Sequence, residues 1–549
     1  MAAGAVVLTG FESAGKSAVF RVLTGEAAGD ETNFRGSTVV CRRGRLPEDA
    51  GEVVDTPGIR LASDSETTRQ ALAVTATADT VLLVARSTQA HAEVTGLLSA
   101  AGLGSRRTAL VLTFADRAAT AALKLAAHYQ RELGVPVVAL NARDCSPASR
   151  AELVRALREA REVRPGAVAP PPVAAVTPGQ SVFDYPLLGP VLAVVWLLAM
   201  YAVPVCLAYA VATVAQPVLD AAVIEPMKAQ LAKLPPVLFS LLGGSYGVLT
   251  LGWYSFLWAF PVVVLIGLST AFNEETGLKD RVTAALDPWL RRVGLSGRDL
   301  IPVLTGYGCN VVAVVQSRSC SGCTRRACVS LIAFGSACSY QIGASLSVFG
   351  AAGRPWLFAP YLIALFVVGA LHTRLWHGAL PAGEARPVAH RAFLQWPSAR
   401  AVWWRMRSVV KQFLLQAMPI FLLICLVAAA LEYAGVMTAL CRWSEPVWGW
   451  FRLPAEVAPG VLFAILRKDG LLTLNQGEGG LLRTLDVGET LVLVWLASTF
   501  SACLVTLGTV GRELGARQAL LVAGRQALTA VGTALVMAGA FRALTGADF

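Results

Sequence analysis

Charge is scarce in this chain. Asp, Glu, Lys and Arg make up only 15% of its 549 residues against 55% hydrophobic ones, and mean hydropathy is +0.57. That balance excludes a soluble enzyme of this size and points to a protein that crosses a membrane several times. A basic leader is also lacking: residues 1–10 form a short apolar run that enters a glycine-rich loop, so no cleavable signal peptide is expected. The eleven cysteines are scattered, several within apolar segments, which excludes a secreted disulfide framework. Nor does the net charge of +11 mark a nucleic-acid binder, because Lys and Arg collect at 279–298 and 386–411, beside apolar segments. The positive-inside tendency accounts for such loops.

What is present begins with residues 1–163, which mix apolar runs with ordinary charge density. An apolar strand at 5–9 leads into Gly10-Phe11-Glu12-Ser13-Ala14-Gly15-Lys16-Ser17 and then a helical stretch, the full GxxxxGK[ST] phosphate loop in its strand–loop–helix setting. Backbone N–H groups there cradle phosphates, Lys16 reaches the β- and γ-phosphates, and Ser17 is a Mg²⁺ ligand. The other parts of a GTPase follow in order. Thr38 is the expected switch residue completing the Mg²⁺ shell. Asp55 ends a strand as a further Mg²⁺ group, and Gly58 offers its N–H to the γ-phosphate. Thr113 and Asp116 form the base-reading loop, flanked by Asn141 and Ala142. GTPases usually have Asn where Thr113 stands, which leaves GTP against ATP preference open. No general base or arginine finger can be assigned, so the catalytic residue is unknown and slow hydrolysis is expected.

Residues 164–182 (with Pro170-Pro171-Pro172) read as an extended, semi-rigid linker, and 183–549 as the membrane domain. Spans are expected at 187–211, 247–272, 327–349, 355–376, 412–432, 489–511 and 518–541. Two interrupted segments, 300–317 and 458–466, look re-entrant, and gate regions fall near 300–350 and 458–515. The stretch 301–318 is apolar, yet Gly306, Gly308, Cys309 and Asn310 interrupt it. Broken backbone at membrane depth is tolerated only against protein or a water-filled path, and a thiol with an amide carbonyl can ligate a transition metal. Glu274, Gly277 and Pro288 recur as Glu432, Gly435 and Pro446, a constant offset of 158 (432 − 274). With three spans between the copies they face opposite ways, as in transporters whose site lies between inverted repeats.

Gly306-Tyr307-Gly308-Cys309-Asn310, preceded by Gly294 through Pro302, resembles the first gate motif of the ferrous iron transport protein B (FeoB) family. The resemblance extends to Glu274 through Gly277, Cys338-Ser339, Arg467-Lys468-Asp469, Cys503 through Thr506, and Arg512-Glu513. It implies an α/β P-loop GTPase domain followed by an all-α polytopic membrane domain with two inverted gate-type repeats. It also implies GTP and Mg²⁺ as cofactors and Fe²⁺ as cargo, carried into the cytosol across the bacterial inner membrane under GTP control. Cys309, Asn310, Cys338, Cys503, Glu274 and Glu513 are the implied metal pathway. Partners expected are the bilayer, small cytosolic accessory proteins and further copies of the chain. This chain departs from the family in lacking room for its helical spacer domain, in Ser13 where relatives carry Asn, and in a cluster of Cys320, Cys323 and Cys328 without a second matching pair. Transport of Mn²⁺ or Zn²⁺, or a non-conducting membrane-anchored GTPase sensor, are the alternative readings.

Overall fold

The computed structural model describes residues 5–25, 41–46, 51–59, 65–118, 120–142, 145–164, 166–173, 176, 179–379, 393–475 and 480–545. The expected switch residue Thr38 lies outside the described residues.

The N-terminal domain carries strands β1 (Val6–Gly10), β2 (Arg42–Arg45), β3 (Glu52–Asp55), β4 (Thr80–Arg86), β5 (Arg107–Thr113) and β6 (Val137–Ala139). Burial runs through β1, β4 and β5 almost without a break. Strands lacking a polar face must be covered on both sides, which suits a parallel sheet between helices. The order is β2-β3-β1-β4-β5-β6, parallel throughout except for the β2 edge. Alternate residues of the same strands feed two separate cores. Val7, Leu83 and Leu110 enter one; Leu8, Leu82 and Val111 enter the other. Helices α1 (Lys16–Thr24), α2 (Glu66–Ala76), α3 (Ala90–Ala100), α4 (Thr120–Leu133) and α5 (Pro147–Arg158) complete this doubly wound domain. Its phosphate loop opens at the carboxyl end of the central strand, where such sheets bind ligands.

The linker is extended, as its prolines dictate, but it lies along the domain rather than standing free. Val168 and Val173 pack on one core, Ala169 accepts from His128 at 2.9 Å, and the Val176 N–H donates to Thr88 O at 3.1 Å. At its far end Arg281, 3% exposed, clamps it to the membrane domain by donating to Asp184 (2.6 Å) and Gly179 O (2.9 Å).

Among the described residues, seven helical stretches are long and apolar enough to cross a membrane: Leu188–Leu231, Pro236–Thr276, Arg325–Ala351, Pro355–His377, Ala401–Tyr433, Val487–Leu514 and Ala516–Ala543. They overlie the seven expected spans. The third and sixth, read from sequence as continuous, are broken. The third runs as Arg325–Gly335 and resumes as Ser339–Ala351; the sixth runs as Val487–Thr499 and resumes as Leu504–Leu514. These two are also the most enclosed, with 89% and 67% of their apolar windows buried against 22–39% for the others. Enclosure is what permits the breaks, because lipid cannot satisfy the freed backbone groups.

The internal repeat reaches well beyond its three sequence markers. At the same offset of 158 (436 − 278), helix Leu278–Leu290 recurs as Val436–Trp448, turn Arg291–Val293 as Gly449–Phe451, and turn Gly297–Asp299 as Ala455–Val457. Half-helices Leu300–Gly306 and Ala458–Leu466 then begin in register. Gly277 (φ 77°, ψ 4°) and Gly435 (φ 75°, ψ 2°) make the same left-handed turn between a span and the helix after it. That conformation puts Cβ against the following carbonyl in any residue but glycine. The third, fourth and fifth spans separate the copies, so they are inverted.

Candidate nucleotide site and transport cleft

The phosphate loop folds tightly enough to need its glycines. A Cβ on Gly10 would meet Val84 O at 2.3 Å, and Gly15 sits at φ +90°. Lys16, 6% exposed, turns back to donate to Gly10 O (3.1 Å) and Phe11 O (2.8 Å). Burial pushes its amine below the ordinary lysine value, against the upward pull of Asp55 and Glu12. Ser17 Oγ donates to Asp55 Oδ2 at 2.7 Å, so two of the three expected Mg²⁺ groups meet at one point. Gly58 lies so close to the loop that a Cβ there would be 2.6 Å from Glu12 Cγ. Bonds from Ile59 N to Gly10 O (3.0 Å) and Thr56 Oγ1 to Leu8 O (2.7 Å) fix that approach. Ser13 takes a positive φ of 58° between Glu12 and Ala14 within the loop. A cradle of this shape, with a lysine and a Ser–Asp pair at one end, fits a Mg²⁺-bound polyphosphate.

On the base side, Thr113 is buried, and its hydroxyl lies 2.7 Å from Ala14 O and 3.1 Å from Ala85 O. It ties the phosphate loop to the sheet, and Asp116 stands exposed at the start of the next helical turn. The Ala115 N–H donates to Leu140 O at 3.4 Å, which brings the Asp116 loop beside Asn141 and Ala142.

In the membrane domain the three pathway cysteines occupy equivalent places. Cys309, Cys338 and Cys503 each precede a half-helix, in extended backbone, where a re-entrant segment or a span breaks. Ser339, next to Cys338, ties its break to that of Cys309 by donating from Oγ to Gly308 O at 2.9 Å. The half-helix Asn310–Gln316 of the first copy packs against Leu504–Leu514 of the second half, and each begins directly after one of these cysteines. Among the described residues no three His, Cys, Asp or Glu side chains converge to hold a metal ion. Asn310, 5% exposed, donates from Nδ2 to Ser336 O at 3.2 Å, and its carbonyl oxygen is buried without a hydrogen-bond partner. An orphaned buried acceptor costs free energy, and a passing cation would satisfy it.

Two residues that sequence reasoning did not place in the site stand here as well. Arg467 and Lys468 lie 158 positions beyond Cys309 and Asn310, and Arg467 (φ −154°, ψ 139°) nearly repeats the backbone of Cys309 (φ −155°, ψ 121°). The Arg467 guanidinium stacks over Tyr340 at 4.1 Å and Phe421 at 4.4 Å. Lys468, 3% exposed, donates to Ser498 O (2.6 Å), Ala497 O (3.4 Å) and Ser501 O, the carbonyls freed where the sixth span stops. Asn310 and Lys468 thus do the same job in the two halves, each bonding to the broken span of its own copy. Gln526, wholly buried, joins the two breaks by donating to Ala333 O and Thr499 O and accepting from Ala502 N.

The two pathway carboxylates are engaged elsewhere. Glu274 pairs with Lys279 and Arg405; Glu513 takes both nitrogens of Arg318 (2.7 and 2.6 Å) and Arg325 (2.9 Å). In the thiol cluster, Cys320 and Cys328 are buried, with Cys328 Sγ donating to Asp299 O at 3.6 Å, whereas Cys323 is exposed.

Comparison with known proteins bears on both halves. Residues 4–154 match the family model described as ferrous iron transport protein B, and residues 256–352 match the Gate model, described as nucleoside recognition. The Fe(2+) transporter FeoB of Synechocystis sp. is 26% identical over 414 residues, which covers 67% of this chain and 66% of that one. The chain is thus similar to FeoB transporters over about two thirds of its length. Other FeoB relatives match over shorter stretches: the Campylobacter jejuni transporter is 28% identical across 20% of this chain and 18% of its own, and a Helicobacter pylori one 24% across 27% and 23%. The match thus spans from about a fifth to two thirds of the length of these relatives. NFeoB from S. thermophilus, solved bound to GDP·AlF4⁻ and K⁺, superimposes on 37% of this chain and 74% of its own with a TM-score of 0.26 and 21% identity. At that score it adds nothing to the sheet topology above.

Proposed function

We propose that this chain is a GTP-controlled transporter that carries Fe²⁺ across the bacterial cytoplasmic membrane into the cytosol. The observation that carries the reading is the placing of Cys309, Cys338 and Cys503 at three helix breaks, in a chain that also holds a complete phosphate loop. Thiols bind soft and borderline cations, and a conducting path needs successive weak sites rather than one tight one. Asn310 adds a carbonyl ligand between them. In the N-terminal domain, Ser17, Asp55 and Thr38 would hold Mg²⁺, which neutralises phosphate charge when bound. Lys16 binds the phosphates, and Gly58 reports on the γ-phosphate. Asp116 reads the guanine edge with Asn141 and Ala142 beside it. Hydrolysis is slow, since the described loops present no general base.

Coupling runs through the contacts between the halves. Helix α2, which follows the γ-phosphate loop, packs on the turn Ser317–Ser319 at the end of the first gate, and Arg318 of that turn holds Glu513 of the second. Arg298 stands 4.0 Å from Glu12 of the phosphate loop, and Arg117 donates to Gln395 at 3.3 Å. GTP bound beside Gly58 therefore bears, through helix α2, on a residue that bridges both gates. Uptake of Fe²⁺, Mn²⁺ and Zn²⁺ into sealed proteoliposomes with and without GTP tests the reading, with Lys16→Ala alongside. GTP-dependent Fe²⁺ entry that Lys16→Ala abolishes is the expected result. Entry of Mn²⁺ or Zn²⁺ alone would change the cargo. No entry of any metal, with GTP hydrolysis intact, would leave a membrane-anchored sensor.

A further inference from the structure

A cavity of about 620 Å³ opens away from the cleft, between the starts of the third and seventh spans and the end of the fourth. Its wall carries Arg326, Arg517, Arg525 and His377, with Trp376 and the exposed Cys323 beside them. Among the described residues none of these three arginines is in an ion pair, and no Asp or Glu lines the cavity. Arg525 lies over the Trp376 ring at 5.2 Å, and Trp376 is itself fixed by donating to Thr529 at 3.2 Å. His377 presents an Nε2 that is buried without a hydrogen-bond partner. Three guanidinium groups facing one space repel each other, and their fork of donors matches phosphate oxygens. The size suits a ligand of headgroup dimensions. The cavity lies on the face that carries the nucleotide-binding domain, since Gly294 on its wall is four residues before Arg298, which reaches Glu12.

We propose that this cavity is a binding site for a phosphate-bearing anion, either the headgroup of an anionic phospholipid or a soluble phosphate compound. Basic pockets between spans on the cytoplasmic side are suited to anionic headgroups. The occupant bridges three spans, and Arg525 adjoins Gln526, the residue that joins the two helix breaks, so the site braces the cleft from behind. The proposal does not depend on which cation is transported.

The test uses the full chain in detergent. Native mass spectrometry compares retention of phosphatidylglycerol with phosphatidylcholine, and the rate of maleimide labelling at Cys323 is followed as pyrophosphate is added. Cys323→Ser identifies the signal of that thiol, and Lys16→Ala separates pyrophosphate bound at the phosphate loop from pyrophosphate bound in the cavity. Retention of phosphatidylglycerol over phosphatidylcholine assigns the site to lipid; protection of Cys323 by pyrophosphate alone assigns it to a soluble anion. In either arm, Arg517→Gln with Arg525→Gln is expected to weaken binding at least about tenfold, and Arg326→Gln alone by less. GTP binding by the same preparations shows that the variants are folded. The single variant and Arg517→Lys serve if the double variant is not. Binding by neither anion, or binding that folded arginine variants leave unchanged, would overturn the proposal.

Discussion

Lys468→Met should be among the most destabilising single substitutions in the membrane domain. Methionine keeps the length and apolar stem of lysine but removes the ammonium that three carbonyls at the end of Val487–Thr499 share. Hydrogen bonds to a charged group contribute about 1.5–3 kcal/mol each, and a buried acceptor left unpaired costs about 1–3 kcal/mol. The three do not add, because one carbonyl is 3.4 Å away and the helix end can relax. Loss of a buried charged partner typically costs about 3–5 kcal/mol, and that is the expected magnitude here. The lost charge also faced the negative end of the half-helix dipole. Thermal unfolding of the detergent-solubilised chain, followed by recovery of monodisperse protein on size exclusion, measures the effect against Lys233→Met at an exposed lysine, which is expected to change stability by less than about 0.5 kcal/mol. If Lys468→Met unfolds at the temperature of the Lys233 control, Lys468 does not hold the break and its place in the cleft is misread.

The repeat makes its own prediction. Gly277→Ala and Gly435→Ala should each cost about 1–2 kcal/mol, and by similar amounts, because both positions hold the same left-handed turn; unequal losses on thermal unfolding would break the equivalence of the copies. In the nucleotide domain, phosphate binding restores charge to a Lys16 whose amine is depressed by burial. Binding then takes up a proton at pH values below the ordinary lysine value, and affinity falls as pH rises through the free-state pKa. Titration calorimetry in buffers of different ionisation enthalpy checks the sign: proton release, or affinity that rises with pH, would refute it.

The sequence made the nucleotide domain legible because its motifs are local. Gly10 through Ser17, Asp55 and Gly58 are each fixed by a strand end or a tight turn, and the sheet brings them together in the expected order. The membrane spans were legible from hydropathy, but the breaks in the third and sixth were not. Nothing apolar is lost at Ser336 through Cys338, and only packing against other helices shows that the backbone can part there. Arg467 and Lys468 could have been found. The offset that relates Glu274 to Glu432 relates Cys309 to Arg467 when carried further, although unlike side chains at matched positions hide the correspondence. Glu274 and Glu513 illustrate the opposite difficulty: a carboxylate at a span end reads alike whether it faces a path or an arginine, and here cations hold both.

Transport through the thiol-lined cleft is tested most directly by replacing one sulfur at a break and one away from it. Cys309→Ser keeps the size of the side chain and the backbone of the break, while Cys425→Ser changes a buried thiol in the fifth span. In sealed proteoliposomes with GTP, the account predicts that Cys309→Ser loses most Fe²⁺ entry, with GTP hydrolysis retained, and that Cys425→Ser transports as the unchanged chain does. Equal Fe²⁺ entry by Cys309→Ser and the unchanged chain would contradict it.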